Sequence, residues 1–232
     1  MLAREAGKLH FAAPVGFVYN PLDYARAPHE AYIRRYAASR KRIVFLGMNP
    51  GPWGMAQTGV PFGDVPSARD WLGISGVVSR PPRMHDKHPV QGYSCARREV
   101  SGTRLWGLMR EHYGSADAFA DDAFVSNYCP LLFLDSEGRN LTPDKLRAED
   151  RARLEELCDR FLAEIIQSLS PAWVVGIGAF AERRCRDILG ELPDAATEVG
   201  AIPHPSPANP KANRDWAGFA RGALVSQGVW ER

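Results

Sequence analysis

The sequence predicts an α/β fold built on a mostly parallel, doubly covered sheet, and three observations carry that prediction. Four short runs rich in β-branched or aromatic residues recur along the chain: "RIVFLGM" (42–48), "AFVSN" (123–127), "AWVVGIG" (172–178) and "EVGAIPH" (198–204). These runs are close to continuously apolar rather than alternating, as strands buried on both faces are. Helical patterns lie between them, and strands alternating with helices indicate parallel crossover units.

Taken in order, "TRLWGLMREHY" after the first strand places Leu105, Leu108 and Met109 on one helical face. "RARLEELCDRFLAEIIQSL" repeats Leu154, Leu157, Cys158, Phe161, Leu162 and Ile165 at helical spacing. "AFAERRCRDILG" follows the third strand, and "NRDWAGFARGALVSQG" follows the fourth, with Asn213 as its expected N-cap. "RPPRMHDKHPVQG" (80–92) reads as a long surface excursion. Neither a repeat nor a linker divides the chain, so residues 1–232 are expected to form a single domain.

Composition narrows the function classes. Hydrophobic residues make up 45%, enough for a sizeable core. The net charge of +2 is only mildly basic, and bulk charge alone points to no nucleic-acid partner. The basic residues do cluster, in "RRYAASRKR", "SRPPRMHDKH", "CARREVSGTR" and "ERRCR", where solvated helix faces and loops are the ordinary reading. Cys95, Cys129, Cys158 and Cys185 contain no C-x-x-C pair, which argues against a zinc or iron–sulfur site and for reduced thiols in the core. No stretch approaches the ~20 apolar residues of a membrane span, and the N-terminus has no signal-peptide core. The expectation is a soluble, intracellular protein: cytoplasmic (nucleoid-associated in a bacterium) or nuclear in a eukaryote.

Ligands of open parallel sheets sit beyond the carboxyl ends of the strands. There the first strand runs into Asn49-Pro-Gly, the second into Asn127-Tyr-Cys-Pro and the fourth into His204-Pro-Ser-Pro. The first of these loops, "NPGPWGMAQTGVPFG" (49–63), carries four glycines, three prolines and no charged residue. Glycines admit close approach of backbone to ligand and prolines stiffen a loop, so the segment reads as the wall of a preformed neutral pocket.

Several chemistries fail on the residues. The loop matches neither a P-loop nor the dinucleotide fingerprint, and its prolines lack the N–H donors of a phosphate nest. No G-x-S-x-G elbow occurs. Ser206 is too close to His204 for a serine–histidine pair, and His85, His88 and His204 are not spaced as metal ligands. What remains suits a flat, neutral base. Asn127 offers a donor and an acceptor to an imide edge, and Phe62 offers a stacking face. His204 can donate to a leaving oxygen, and Asn49 can hold a water through its carbonyl oxygen. Each has a bland alternative: a turn or cap asparagine, a core phenylalanine, a structural histidine.

"FLGMNPGPWGMAQTGVPFGDV", "FVSNYCPLLFLDSEGRNLTP" and "HPSPANPKANRDW" closely resemble the signature segments of the single-strand-selective monofunctional uracil-DNA glycosylase family; "FVYNPLDYARAPHEAYIRRY" and "REVSGTRLWGL" are similar to further segments of it. The resemblance runs from about Phe17 to about Gly228. It implies a three-layer α/β/α domain with a central, mostly parallel four-stranded sheet. It also implies removal of uracil and 5-substituted uracils, such as 5-hydroxymethyluracil, from single- or double-stranded DNA in base excision repair. No cofactor, metal, lyase chemistry or membrane is implied, and the expected state is a monomer.

Carried over by motif, Asn49 positions the attacking water and His204 stabilises the departing base. Asn127 reads the uracil edge, Phe62 stacks under the ring, and Met48 and Gly51 shape the pocket through their backbones. Pro205, Ser206, Pro207, Ala208, Asn209, Pro210 and Lys211 correspond to the wedge entering the duplex; Lys211, Arg214 and the arginines of "CARRE" are candidates for phosphate contacts. Ala208 stands where vertebrate members carry arginine, and Trp53 where they carry phenylalanine. "EVSGTR" (99–104) matches the family without an evident role beyond packing or backbone contact. Two alternatives stay open: a superfamily glycosylase shifted to deaminated purines (hypoxanthine or xanthine), and a DNA-binding module that recognises a flipped base without cleaving it.

Overall fold

The computed structural model describes residues 2–192, 196–208 and 212–231. The chain begins with a short helix, α1 (Leu2–Ala6), then β1 (Phe17–Tyr19), α2 (Pro21–Tyr24) and α3 (Arg26–Tyr36). The first long apolar run becomes β2 (Ile43–Gly47), followed by α4 (Met55–Thr58), α5 (Val100–Tyr113), α6 (Ala116–Asp122) and β3 (Ala123–Asn127). A hairpin, β4 (Leu132–Leu134) and β5 (Asn140–Leu141), precedes the long α7 (Ala148–Leu169). The remainder is β6 (Trp173–Ile177), α8 (Ala179–Glu191), β7 (Glu198–Ile202) and α9 (Ala212–Ser226).

The four apolar runs form one all-parallel sheet in the order β3-β2-β6-β7. Every residue of β2 and β3 is buried, which requires cover on both faces and explains their unbroken apolar sequence. The crossover from β2 to β3, through α5 and α6, runs in the opposite direction across the sheet from those through α7 and α8. Right-handed connections therefore place the two helix pairs on opposite faces. α9 packs beside α5, and α7 beside α8. Leu105, Leu108 and Met109 of α5 and Leu154, Leu157, Cys158, Leu162 and Ile165 of α7 are buried as their spacing predicts. All four cysteines are buried free thiols.

The structure departs from the sequence reading in two places. A second, antiparallel sheet of order β1-β4-β5 carries the 80–92 excursion: the Tyr19 hydroxyl donates to the His88 carbonyl at 2.8 Å, and His88 Nε2 meets the Gly138 carbonyl at 2.7 Å. Its strands are two or three residues long, too short for a period to show. The second departure is the cap of α9. Asp215 has extended φ/ψ (−156°, 73°), and its Oδ1 accepts from Gly218 N at 2.9 Å, so Asp215 caps the helix proper. Asn213 instead donates from Nδ2 to the Pro207 carbonyl at 2.9 Å.

Among the described residues no helix is long and apolar enough to cross a membrane.

Candidate active site

β2 ends at Gly47 beside Asn127, the last residue of β3, and the chain bends there: Tyr128 N donates to Gly47 O and Cys129 N to Met48 O, both at 2.8 Å. These bonds hold Met48 and Asn49 at the C-terminal edge of the sheet. In the order β3-β2-β6-β7 the connections diverge between β2 and β6, the position where open parallel sheets bind ligands.

Asn127 is only 5% exposed, and its Oδ1 has no hydrogen-bond partner among the described residues. Its Nδ2 meets only the Met55 thioether, a weak acceptor, at 3.3 Å. A buried carboxamide left unpaired costs about 1–3 kcal/mol, and a ligand presenting N–H beside C=O would satisfy both ends. Phe62, 7% exposed, lies alongside. A Cβ on Gly47 would come within 2.4 Å of Phe62 Cε2 and 2.5 Å of Asn127 Oδ1, so glycine at 47 lets the ring and the carboxamide pack together over the end of β2. Phe62 itself has φ +56°, a left-handed conformation costing a non-glycine residue of order 1 kcal/mol or more. Bonds on both sides of the ring retain it: Trp106 Nε1 donates to Pro61 O at 3.2 Å, and Thr58 Oγ1 to Gly63 O at 2.6 Å.

Asn49 is half-buried, with Nδ2 pointing at the carbonyls of Pro50 (3.3 Å) and Leu131 (3.4 Å). With the amide group turned to those acceptors, Oδ1 is the end that can accept a hydrogen bond from water.

His204 follows β7. Its Nδ1 accepts from Ser206 N at 3.1 Å, which assigns the proton of the neutral ring to Nε2. Burial holds its pKa below the ordinary histidine value, so the ring is a neutral donor at physiological pH. Gly178, with φ +89° at the end of β6, makes room for it, since a Cβ there would be 3.0 Å from His204 Cβ.

Three side chains stiffen the segment after β7. Trp216 Nε1 donates to Pro203 O (2.7 Å), Arg104 Nη1 to Pro205 O (2.9 Å) and Asn213 Nδ2 to Pro207 O (2.9 Å). Arg104 Nη2 also donates to Asn213 Oδ1 at 3.0 Å, joining two of these anchors. Ala208 is exposed and its N–H donates to Ser206 Oγ. Asn209, Pro210 and Lys211, the rest of the segment expected to form the wedge, lie outside the described residues.

A cleft of about 780 Å³ between α1, α3 and α7 reaches Met55, Pro61, Ser126 and Asn127, but not Asn49, Phe62 or His204. Of the described candidate residues, the orphaned Asn127 carboxamide is the one that opens on that cleft.

The profile described as "Uracil DNA glycosylase superfamily" matches residues 34–220. Over 228 residues the chain is 49% identical to the single-strand selective monofunctional uracil-DNA glycosylase of Rattus norvegicus, covering 98% of this chain and 82% of that protein. The protein of the same name from Bos taurus is 47% identical over 225 residues, covering 97% and 82%. The chain belongs to the uracil-DNA glycosylase superfamily. The crystal structure of wild-type Pedobacter heparinus SMUG2 shares the fold, with a TM-score of 0.69 at 17% identity over 98% of this chain and 97% of that one.

Within this glycosylase fold, "EVSGTR" acquires a place that its sequence did not reveal. Glu99 Oε2 accepts from Trp53 N at 3.1 Å, under the Asn49 loop. A Cβ on Gly51 would fall 1.9 Å from Glu99 Oε1, so Gly51 makes way for that carboxylate. Gly102 touches the Phe62 carbonyl, Thr103 Oγ1 donates to the buried Asp64 at 3.1 Å, and Arg104 holds Pro205. Arg98, a candidate phosphate contact, is paired with Asp64, while the Arg97 guanidinium stacks 3.9 Å over the Trp53 ring. No local signal in the sequence pointed to these contacts, because each joins segments some forty to a hundred residues apart.

Proposed function

We propose that this superfamily member is a monofunctional glycosylase that hydrolyses the N-glycosidic bond of uracil, and of 5-substituted uracils such as 5-hydroxymethyluracil, in DNA as a step of base excision repair. One observation carries the reading: the buried Asn127 carboxamide, whose Oδ1 has no partner among the described residues, lies beside the Phe62 ring in what we read as the base slot. Uracil supplies what that slot lacks, with N3–H donating to Oδ1 and O4 accepting from Nδ2, while its flat face stacks on the phenylalanine.

The remaining groups suit the bond-breaking step. The glycosidic bond cleaves toward an oxocarbenium-like sugar, and the bonding pair moves onto the base and its O2. A neutral His204 with its proton on Nε2 donates to that oxygen as charge grows. A donor so placed is worth roughly 10²–10³ in rate. Asn49 Oδ1 holds the water that attacks the sugar carbon, and Met48 and Gly51 form the nearby backbone wall. A target base must first leave the stack at a cost of a few kcal/mol. The segment from Pro205 to Lys211 fills the gap it leaves, and the anchoring of the Pro203, Pro205 and Pro207 carbonyls supports that use. No step calls for a metal, a cofactor or an activated amine.

The test is single-turnover excision from matched single- and double-stranded oligonucleotides carrying uracil, 5-hydroxymethyluracil, hypoxanthine or xanthine, with Asn127→Ala and His204→Ala alongside. Excision of the uracil-type bases, lost in both variants, is the expected result. Release of the purines alone would overturn the substrate, and tight binding without release would overturn the reaction.

A further inference from the structure

The loop that carries Asn49 contains no charge in its sequence, yet its backbone rests on a carboxylate. Glu99 reaches it from the residue before α5, taking the Trp53 N–H at 3.1 Å and the Gly54 N–H as a second donor. Glycines at 51 and 54 form the cradle: a Cβ would fall 1.9 Å from Oε1 at Gly51 and 3.1 Å from Oε2 at Gly54. Glu99 is in turn fixed from behind, since its own carbonyl accepts from Thr103 N at 2.8 Å and Thr103 Oγ1 donates to Asp64.

We propose that Glu99 is a positioning residue for the glycosylase reaction, its carboxylate clamping the turn after Asn49 and thereby setting where the Asn49 side chain holds the attacking water. The inference rests on the reading of Asn49 as the water holder. A carboxylate offers only acceptor oxygens to both N–H groups. A carboxamide has one acceptor oxygen and turns an NH₂ toward the second N–H, and a methyl group has none. Misplacement of a reacting group by about 1 Å costs on the order of 10²-fold, so a loosened turn is visible in the chemical step. Burial disfavours the charged form of this carboxyl most strongly, the Trp53 and Gly54 N–H groups favour it, and Asp64, itself paired with Arg98, disfavours it.

The experiment is single-turnover excision of uracil from an oligonucleotide by the full chain at about pH 8 or above, where Glu99 is ionised, with the rate constant and the reactive fraction read separately. Binding to DNA carrying a non-cleavable 2′-fluoroarabino-uridine is measured in parallel. Glu99→Gln should slow the rate constant about 10-fold or more, with affinity for the non-cleavable DNA within about 2-fold. Gly51→Ala, which displaces the carboxylate without removing it, should likewise slow the rate constant. In an Asn49→Ala background neither substitution should slow the reaction further, because the group being positioned is gone. With His204→Ala the losses should multiply. An unchanged rate constant in Glu99→Gln would overturn the proposal, as would a loss confined to the reactive fraction or losses that multiply with Asn49→Ala. If Asn49→Ala alone leaves the rate constant unchanged, the water-holder reading itself falls.

Discussion

The carbonyl oxygen of Phe62 occupies the place where Gly102 would carry a side chain: a Cβ there would lie 1.9 Å from it. The first turn of α5 thus packs directly on the backbone of the residue that offers the stacking ring. Gly102→Ala must push α5 or the already left-handed Phe62 aside, and overpacking of this kind costs about 1–3 kcal/mol. We expect a lowered denaturation midpoint together with weaker binding of uracil-containing DNA; an unchanged midpoint would show that the contact yields freely.

Arg104 anchors the proposed wedge through Pro205 and Asn213. Opening a duplex draws on a stiff wedge, whereas an unpaired base needs it far less. Arg104→Ala should therefore depress excision from duplex DNA by about 10-fold, with a smaller effect on the same sequence single-stranded. The ratio of the two single-turnover rates is the readout, and equal losses on both would separate Arg104 from the wedge.

Glu99 bears on stability as well as chemistry. Burial pushes its carboxyl up to about 7, with Trp53 and Gly54 N–H groups opposing and Asp64 adding. Between its ordinary value of 4.5 and about 7 the folded chain holds a proton that the unfolded chain releases. Stability from this group is thus present at low pH, falls as pH rises through that window and stays lowered above it. Glu99→Gln lacks the slope, so its urea midpoint relative to the parent chain should rise from about pH 5 to about pH 8. A constant difference would count against the raised value.

His204 has the opposite sign. Burial lowers its folded value below 6.5, so below that pH the unfolded chain takes up a proton first. Its neutral form adds stability above the unfolded value, and that stability is lost as pH falls toward the folded one. Protonating Nδ1 also removes the acceptor for the Ser206 N–H. Relative to the parent chain, His204→Ala should lose less stability on acidification below 6.5, by denaturant titration at several pH values.

Asn49 has no carboxylate's proton affinity, yet Asp at that position would also stabilise a cationic sugar. Asn49→Asp should retain or raise uracil excision. Asn49→Ala should lower the chemical step by about 10²-fold, within the range a positioned group contributes. Single-turnover rates compare the two directly.

β2, β3 and β6 were legible because burial on both faces demands an unbroken apolar run; the half-exposed edge strand β7 was legible from its short run of apolar residues, and each run in the sequence is one strand of the sheet. The three loops bearing Asn49, Asn127 and His204 were legible for a related reason: parallel topology sends every strand's carboxyl end to one edge, so residues following the strands meet there. The β1-β4-β5 sheet was not legible, since three residues cannot display a period.

By itself, then, the amino-acid sequence determined the sheet, its flanking helices and which polar residues gather at its edge, because those follow from local patterning and chain direction. Only the tertiary structure decided what holds those residues in place. Glu99 beneath Gly51 and Gly54, Gly102 against Phe62, Arg104 on Pro205 and Asp215 in place of Asn213 as the α9 cap are pairings of backbone N–H and C=O groups with particular side chains. Such pairings depend on where folding brings each backbone group, and no spacing along the chain encodes the meeting of residues so far apart.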